Sequence, residues 1–236
     1  MEGIIDTIKK TNSLRPDRIS FYSYAHTPWI KGTGQRGYSE EDLPSGEEKR
    51  ILYEEGKKML EASGYHEIGM DHFALKEDEM YTAMLNHQLH RNFMGYTSSK
   101  TQLMIGLGAS AISDSWYSFA QNERKVEDYY RRLEKDEIPT FKGHLLTPED
   151  LIVRKHILNL MCNFETSWAN GQMQFHDLEQ VKASLIEMEQ DGLLVFTHDG
   201  IEVTDKGKPF VRNICMAFDL RLKRKEPQTQ LFSMTV

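Results

Sequence analysis

Cysteine is nearly missing from this sequence: 236 residues hold two, Cys162 and Cys215. Two thiols form one disulfide at most, which excludes the stapled architecture of small exported domains. No apolar run approaches the length of a membrane span, and the first thirty residues lack the basic start and apolar core of a secretory signal. Cytoplasmic residence follows by default. Base is in deficit, with 29 Lys and Arg against 36 Asp and Glu, which argues against neutralising a phosphate backbone. Internal repeats and low-complexity tracts are missing too. What remains is 39% hydrophobic and 28% charged, the composition of a globular chain large enough for one big domain or two modest ones.

Ile4, Ile5 and Ile8 stand at helical spacing, and Arg15-Pro16 stops that helix because a residue before proline avoids the helical region. Arg18 to Ala25 is rich in β-formers and reads as a strand leading into His26; residues 27 to 44 read as a long glycine-bearing loop. Ser45 and Glu48 form a capping box for a helix facing Leu52, Gly56, Met59 and Leu60 inward, with Gly64 as its stop. Tyr65 to Phe73 predicts the next strand, 76 to 86 a short helix, and the segments around Phe93 and from Met104 to Ile112 further strands. Alternating strands and helices predict a parallel sheet or barrel. Glu123 to Glu137 predicts a charged outer helix, and Lys142-Gly143-His144 a linker. Beyond it, Thr147-Pro148 starts a helix, a second follows near His176, Asp199-Gly200 marks a hairpin, and a last helix runs through Phe210 to Phe218. That order predicts a small winged-helix-like domain.

The densest chemistry lies between Gly64 and Ser113. His87 and His90, three apart, share a face if helical, and Asp71-His72 could join them on a divalent metal; hydrogen bonding at a barrel mouth is the competing reading, since no local ligand set is complete. Gly106-x-Gly108 is too short for a dinucleotide fingerprint and fits close packing of a buried strand. His90, Arg91 and Lys100 cluster near an expected strand end, where they suit carboxylates. A winged helix invites a DNA reading, but Leu145 to Gly207 carries four Lys or Arg against eleven Asp or Glu. Nucleic acid is excluded on that balance.

Several runs together resemble a known family: Tyr24-Ala25-His26, Ile68-Gly69-Met70-Asp71-His72-Phe73-Ala74, His90-Arg91-Asn92-Phe93 with Gly95-Tyr96-Thr97, Ser110-Ala111-Ile112-Ser113, Ala120-Gln121-Asn122, Cys162-Asn163-Phe164, and Val211-Arg212-Asn213-Ile214-Cys215-Met216 with Phe218-Asp219. They are similar, in order and from end to end, to oxygen-independent coproporphyrinogen III oxidase, a radical S-adenosylmethionine enzyme of haem biosynthesis. The resemblance implies an open (β/α)6 barrel carrying a 4Fe-4S cluster on a Cys-x3-Cys-x2-Cys loop. It also implies a 5′-deoxyadenosyl radical that takes a hydrogen from a substrate propionate, after which carbon dioxide and an electron leave and a vinyl remains. Residues matching Ala25, Phe93 and Ile112, and the position of Met94, line S-adenosylmethionine sites in that family. The family usually has glutamine where Met94 stands, and a thioether replaces neither the donor nor the acceptor of an amide.

The cysteine loop has no counterpart in these residues. The expectation is therefore the C-terminal portion of such an oxidase: a partial barrel over residues 1–142 and a winged-helix-like cover over 143–236. Its substrate would be coproporphyrinogen III, with His90, Arg91 and Lys100 as carboxylate contacts. The chain alone should be inactive, and a half-barrel exposing apolar surface should self-associate. The alternative is a non-enzymatic relative that binds a tetrapyrrole or a partner chain.

Overall fold

The computed structural model describes residues 1–28, Gln35, Gly37 and 39–225. Contacts divide the chain into two units, Met1–Leu85 with the stretch from Arg221 onward, and Asn86–Leu220. The expected boundary at 142/143 falls inside the second. Among the described residues no helix is long and apolar enough to cross a membrane.

In the first unit, α1 (Glu2–Leu14) ends on Arg15 in the left-handed conformation, φ 46°, its N–H donated to the Thr11 carbonyl. β1 (Arg18–Ser20) follows, shorter than predicted. Of the expected loop from 27 to 44, residues 29–34, 36 and 38 lie outside the described residues, and a 3-10 turn, Glu40–Asp42, is present among those described. α2 (Gly46–Ala62) starts on the expected box: the Ser45 hydroxyl accepts from the Glu48 N–H, and the Glu48 carboxylate accepts from the Ser45 N–H. Gly64, at φ +89°, takes the chain away from it.

The predicted strand Tyr65 to Phe73 is instead a hairpin of β2 (Tyr65–Gly69) and β3 (His72–Leu75). Asp71, at φ 63°, turns it. β3 then lies between its neighbours in the order β1-β3-β2, antiparallel to both. The parallel adjacency of β1 and β2 predicted from strand-helix-strand order is therefore broken by the inserted hairpin arm, and the pairings among the described strands are antiparallel. It also explains why β1 stops early. Ser20 pairs with His72, the first residue of β3, and after one further bond from the Phe21 N–H to the Asp71 carbonyl it has no partner strand. Ile8, Leu60, Tyr65, Phe73 and Leu75 form the core, and α3 (Glu79–Leu85) packs on β2 and β3.

The second unit opens with a second hairpin, β4 (His90–Asn92) and β5 (Gly95–Thr97), so Phe93 and Met94 form a tip, not a strand. Met104 to Ala111 is no strand either. Met104 makes an isolated bridge to Asp114, while β6 (Ile112–Asp114), β7 (Ser118–Asn122) and, after α4 (Val126–Leu133), β8 (Thr140–Leu145) form an antiparallel sheet. The predicted linker is part of β8: Lys142, Gly143 and His144 pair with Gln121, Ala120 and Phe119. Gly143 belongs there because a Cβ would meet the Phe119 carbonyl at 3.1 Å.

α5 (Pro148–Asn163) begins on a second capping box, Thr147 with Asp150. β9 (Glu165–Ser167), α6 (Leu178–Gln190), β10 (Leu194–Phe196) and β11 (Gly200–Val203) follow, the strands ordered β10-β11-β9. The expected last helix is split into a 3-10 turn, Lys208–Phe210, and α7 (Val211–Met216). A terminal helix, α8 (Leu220–Lys225), ends the described chain. Leu160, Val181, Leu185, Leu194, Ile201, Val211, Ile214 and Phe218 are among the buried side chains of this segment.

Candidate functional site

The β4–β5 hairpin sets the geometry. Its two-residue tip is fixed where the Asn92 carboxamide oxygen accepts the Met94 N–H at 2.8 Å, with Gly95 at φ 123°. Period-two alternation sends His90 and Arg91 to opposite faces. Arg91 stands opposite Tyr96, its guanidinium carbon 4.8 Å from that ring's centre, and the Tyr96 hydroxyl donates to the Met161 carbonyl at 2.7 Å, tying the hairpin to α5. Arg91 Nη1 is buried and has no hydrogen-bond partner among the described residues. A buried guanidinium N–H left unpaired is costly unless something else accepts from it.

His90, on the other face, is buried, and its pKa lies below the ordinary value. Burial is the main cause, Lys100 and Arg154 add to it, and Asp114 opposes. Its ring centre is 6.5 Å from that of Trp116. Lys100 Nζ lies 5.7 Å and the Arg154 guanidinium carbon 4.5 Å from the same indole. Arg154 is held by a bidentate ion pair with Asp114, Nη1 to Oδ1 at 3.0 Å and Nη2 to Oδ2 at 2.6 Å, and it also donates to the Trp116 carbonyl. Both charges are largely buried, at 12% and 9% side-chain exposure. Arg154 lies 5.1 Å from the Phe119 ring, which meets Phe93 edge-on at the same centroid distance.

The result is a patch of three cationic or titratable groups, His90, Lys100 and Arg154, interleaved with Trp116, Phe119 and Phe93, in which, among the described residues, only Arg154 forms an ion pair. Such a surface suits a ligand with aromatic rings and several carboxylates.

Of the predicted residues, His90 and Lys100 meet at Trp116, Phe93 joins through Phe119, and Arg91 faces Tyr96. Met94 is 84% exposed at the tip. Ile112 opens β6, half-buried, with its backbone against Gly106. Ala25 belongs to the first unit, exposed, its carbonyl accepting from Gln35 Nε2 at 3.2 Å. His87 sits at φ 54° in a turn, so it shares no helical face with His90. Among the described residues no three of His, Cys, Asp and Glu are placed to hold a metal ion. Asp114, Trp116, Phe119 and Arg154 were not legible as site residues. Asp114 and Arg154 stand 40 residues apart, and nothing local in either segment announces the pair.

The cysteines do not fit an iron–sulfur cluster. Both are buried, and burial pushes each thiol up to about 12 against the opposing influence of Arg91, whereas cluster ligands are thiolates.

Compared with solved structures, the fold superposes on coproporphyrinogen III oxidase from Escherichia coli, described as a radical SAM enzyme. The TM-score is 0.85 at 37% identity, over 94% of this chain and 52% of that one. The chain is thus a mixed α/β fold of the kind found in half of a radical SAM enzyme.

The curated relatives narrow this further. Oxygen-independent coproporphyrinogen III oxidase of Escherichia coli K12 is 38% identical over all of this chain and 52% of its own length. That of Synechocystis is 37% identical over 98% and 51%, and that of Helicobacter pylori 34% over 95% and 50%. No family model matches the chain. The chain spans about half the length of the curated relatives it matches, and it is homologous along its whole length to the C-terminal half of the oxygen-independent coproporphyrinogen III oxidases.

Proposed function

We propose that this chain supplies the substrate-recognising half of an oxygen-independent coproporphyrinogen III oxidase, the enzyme that converts two propionates of coproporphyrinogen III to vinyls and yields protoporphyrinogen IX. One observation carries the reading: similarity at 38% identity, over all of this chain, to the oxygen-independent coproporphyrinogen III oxidase of Escherichia coli K12. His90, Arg91 and Lys100 are the carboxylate contacts. Among the described residues, Arg91 contributes a buried N–H with no acceptor, on the opposite face of the hairpin from His90, and Lys100 an ammonium with no ion pair.

S-adenosylmethionine and a 4Fe-4S cluster belong to the complete enzyme, where they supply the radical that removes hydrogen from a propionate. Ala25, Phe93, Met94 and Ile112 are the residues of this chain that would touch S-adenosylmethionine. The cluster has no ligand set here, so no step is assigned to it. That lack favours a second reading for the chain by itself: tetrapyrrole binding without chemistry.

We also infer that residues 1–142 form the C-terminal part of an open (β/α)6 barrel and 143–236 a winged-helix-like cover, with β8 spanning the junction. The run α5–β9–α6 followed by the β10–β11 hairpin supports the second assignment.

Titration of the purified chain with coproporphyrinogen III under anaerobic conditions tests the proposal. Arg91→Ala should weaken binding by about 1.5–3 kcal/mol, the range for a charge-assisted hydrogen bond. Unchanged affinity would remove Arg91 from the site.

A further inference from the structure

We infer that Trp116 is the platform on which a pyrrole ring of the tetrapyrrole packs, with Lys100 beside it selecting the propionate-bearing form. The inference rests on the proposed function and extends it to a residue that lies outside the sequence motifs.

Three observations carry it. Trp116 sits at φ 66°, a left-handed conformation that is unusual for a bulky side chain and costs on the order of 1 kcal/mol. The strain is held in place at both backbone groups: Asp114 Oδ1 accepts the Trp116 N–H at 2.9 Å and Arg154 Nη1 donates to its carbonyl at 3.0 Å. Strain maintained by a dedicated clamp is characteristic of residues aimed at a function. Third, the indole so aimed is not spent on the core. It is only partly buried, backed by Arg154 at 4.5 Å, with Lys100 at 5.7 Å and the His90 ring at 6.5 Å.

A plain alternative gives Trp116 a smaller role, as a lid that keeps water from the Asp114–Arg154 pair. The two readings differ in what they say about ligands. A lid affects stability alone; a platform affects affinity for the ring system whether or not the ring carries charge.

The test titrates the whole chain with coproporphyrin III and with its tetramethyl ester in the same detergent, read by the shift of the porphyrin absorbance. Trp116→Leu should weaken both ligands by about 3–10-fold, the range for an aromatic pair. Lys100→Ala, at an exposed position, should weaken the acid and leave the ester unchanged. Trp116→Phe, which keeps a smaller ring, should fall between wild type and Leu, and it decides the matter if the Leu variant does not fold. Variants at 116 that bind both ligands like wild type while melting lower would leave Trp116 as a lid and overturn this inference alone. Failure of the unaltered chain to bind either ligand would overturn the functional reading, and this inference with it.

Discussion

Arg154 is the side chain on which the patch depends. Its guanidinium satisfies Asp114 twice, bonds the Trp116 carbonyl and lies against two aromatic rings. Removing one partner of a buried ion pair strands the other charge. Asp114→Ala should therefore cost about 3–5 kcal/mol in urea unfolding; a loss below about 1 kcal/mol would mean that water reaches Arg154. His156 gives a pH dependence. It is fully buried, its Nε2–H donated to the Met173 carbonyl and its Nδ1 accepting from the Thr166 hydroxyl, and burial lowers its pKa. The unfolded chain takes up a proton near pH 6.5 and the folded chain only at lower pH. Stability from this residue is thus complete above about pH 6.5 and is lost as pH falls towards the folded value. Melting at about pH 7.5 and about pH 5.5 should show a drop that His156→Gln reduces; equal drops in both proteins would assign the effect elsewhere. At this scale the sequence revealed what is local. Ser45 with Glu48, and Thr147 with Asp150, are three residues apart and were readable as caps. The left-handed φ of Asp71 and Trp116 was not: the Asp71 carbonyl accepts from Phe21 and the Trp116 carbonyl from Arg154, both distant in sequence.

At the scale of elements, helices were legible and strands were not, for a reason of length. α2 and α5 run 17 and 16 residues, long enough for periodicity and for a cap at the start. β1, β4, β5 and β6 have three residues each, too few to show alternation, so the hairpin around Phe93 reads as a single strand; in the Asp71 hairpin only Met70 and Asp71 separate β2 from β3, and that pair carries no glycine or proline to mark a turn. The glycine run is an instructive case. Gly106 was read as close packing within a strand, and close packing is present, although the segment is a loop. Asn122 Nδ2 donates to the Gly106 and Gly108 carbonyls, and a Cβ on Gly106 would meet the Ile112 backbone at 2.7 Å. Since backbone must move to admit it, Gly106→Ala should cost about 1–3 kcal/mol by denaturant titration. A neutral substitution would show that the loop yields freely.

For the whole molecule, composition fixed little beyond a globular chain of mixed structure, and periodicity led to a parallel sheet that the described pairings do not contain. The ordered runs from Tyr24 to Asp219 did better, because they compare side chains directly and do not pass through a guess at topology. Cys162 and Cys215 belong to that match, yet as buried thiols they add nothing towards a cluster. The central proposal is that this chain carries tetrapyrrole recognition in the β4–β5 hairpin and the β6–β7 turn. Amide hydrogen exchange followed by mass spectrometry, with and without saturating coproporphyrin III, tests it most directly. Slowed exchange across residues 90–100 and 112–119, with 178–203 unchanged, is the expected result; protection that spares both of those segments, or no protection at all, would contradict it.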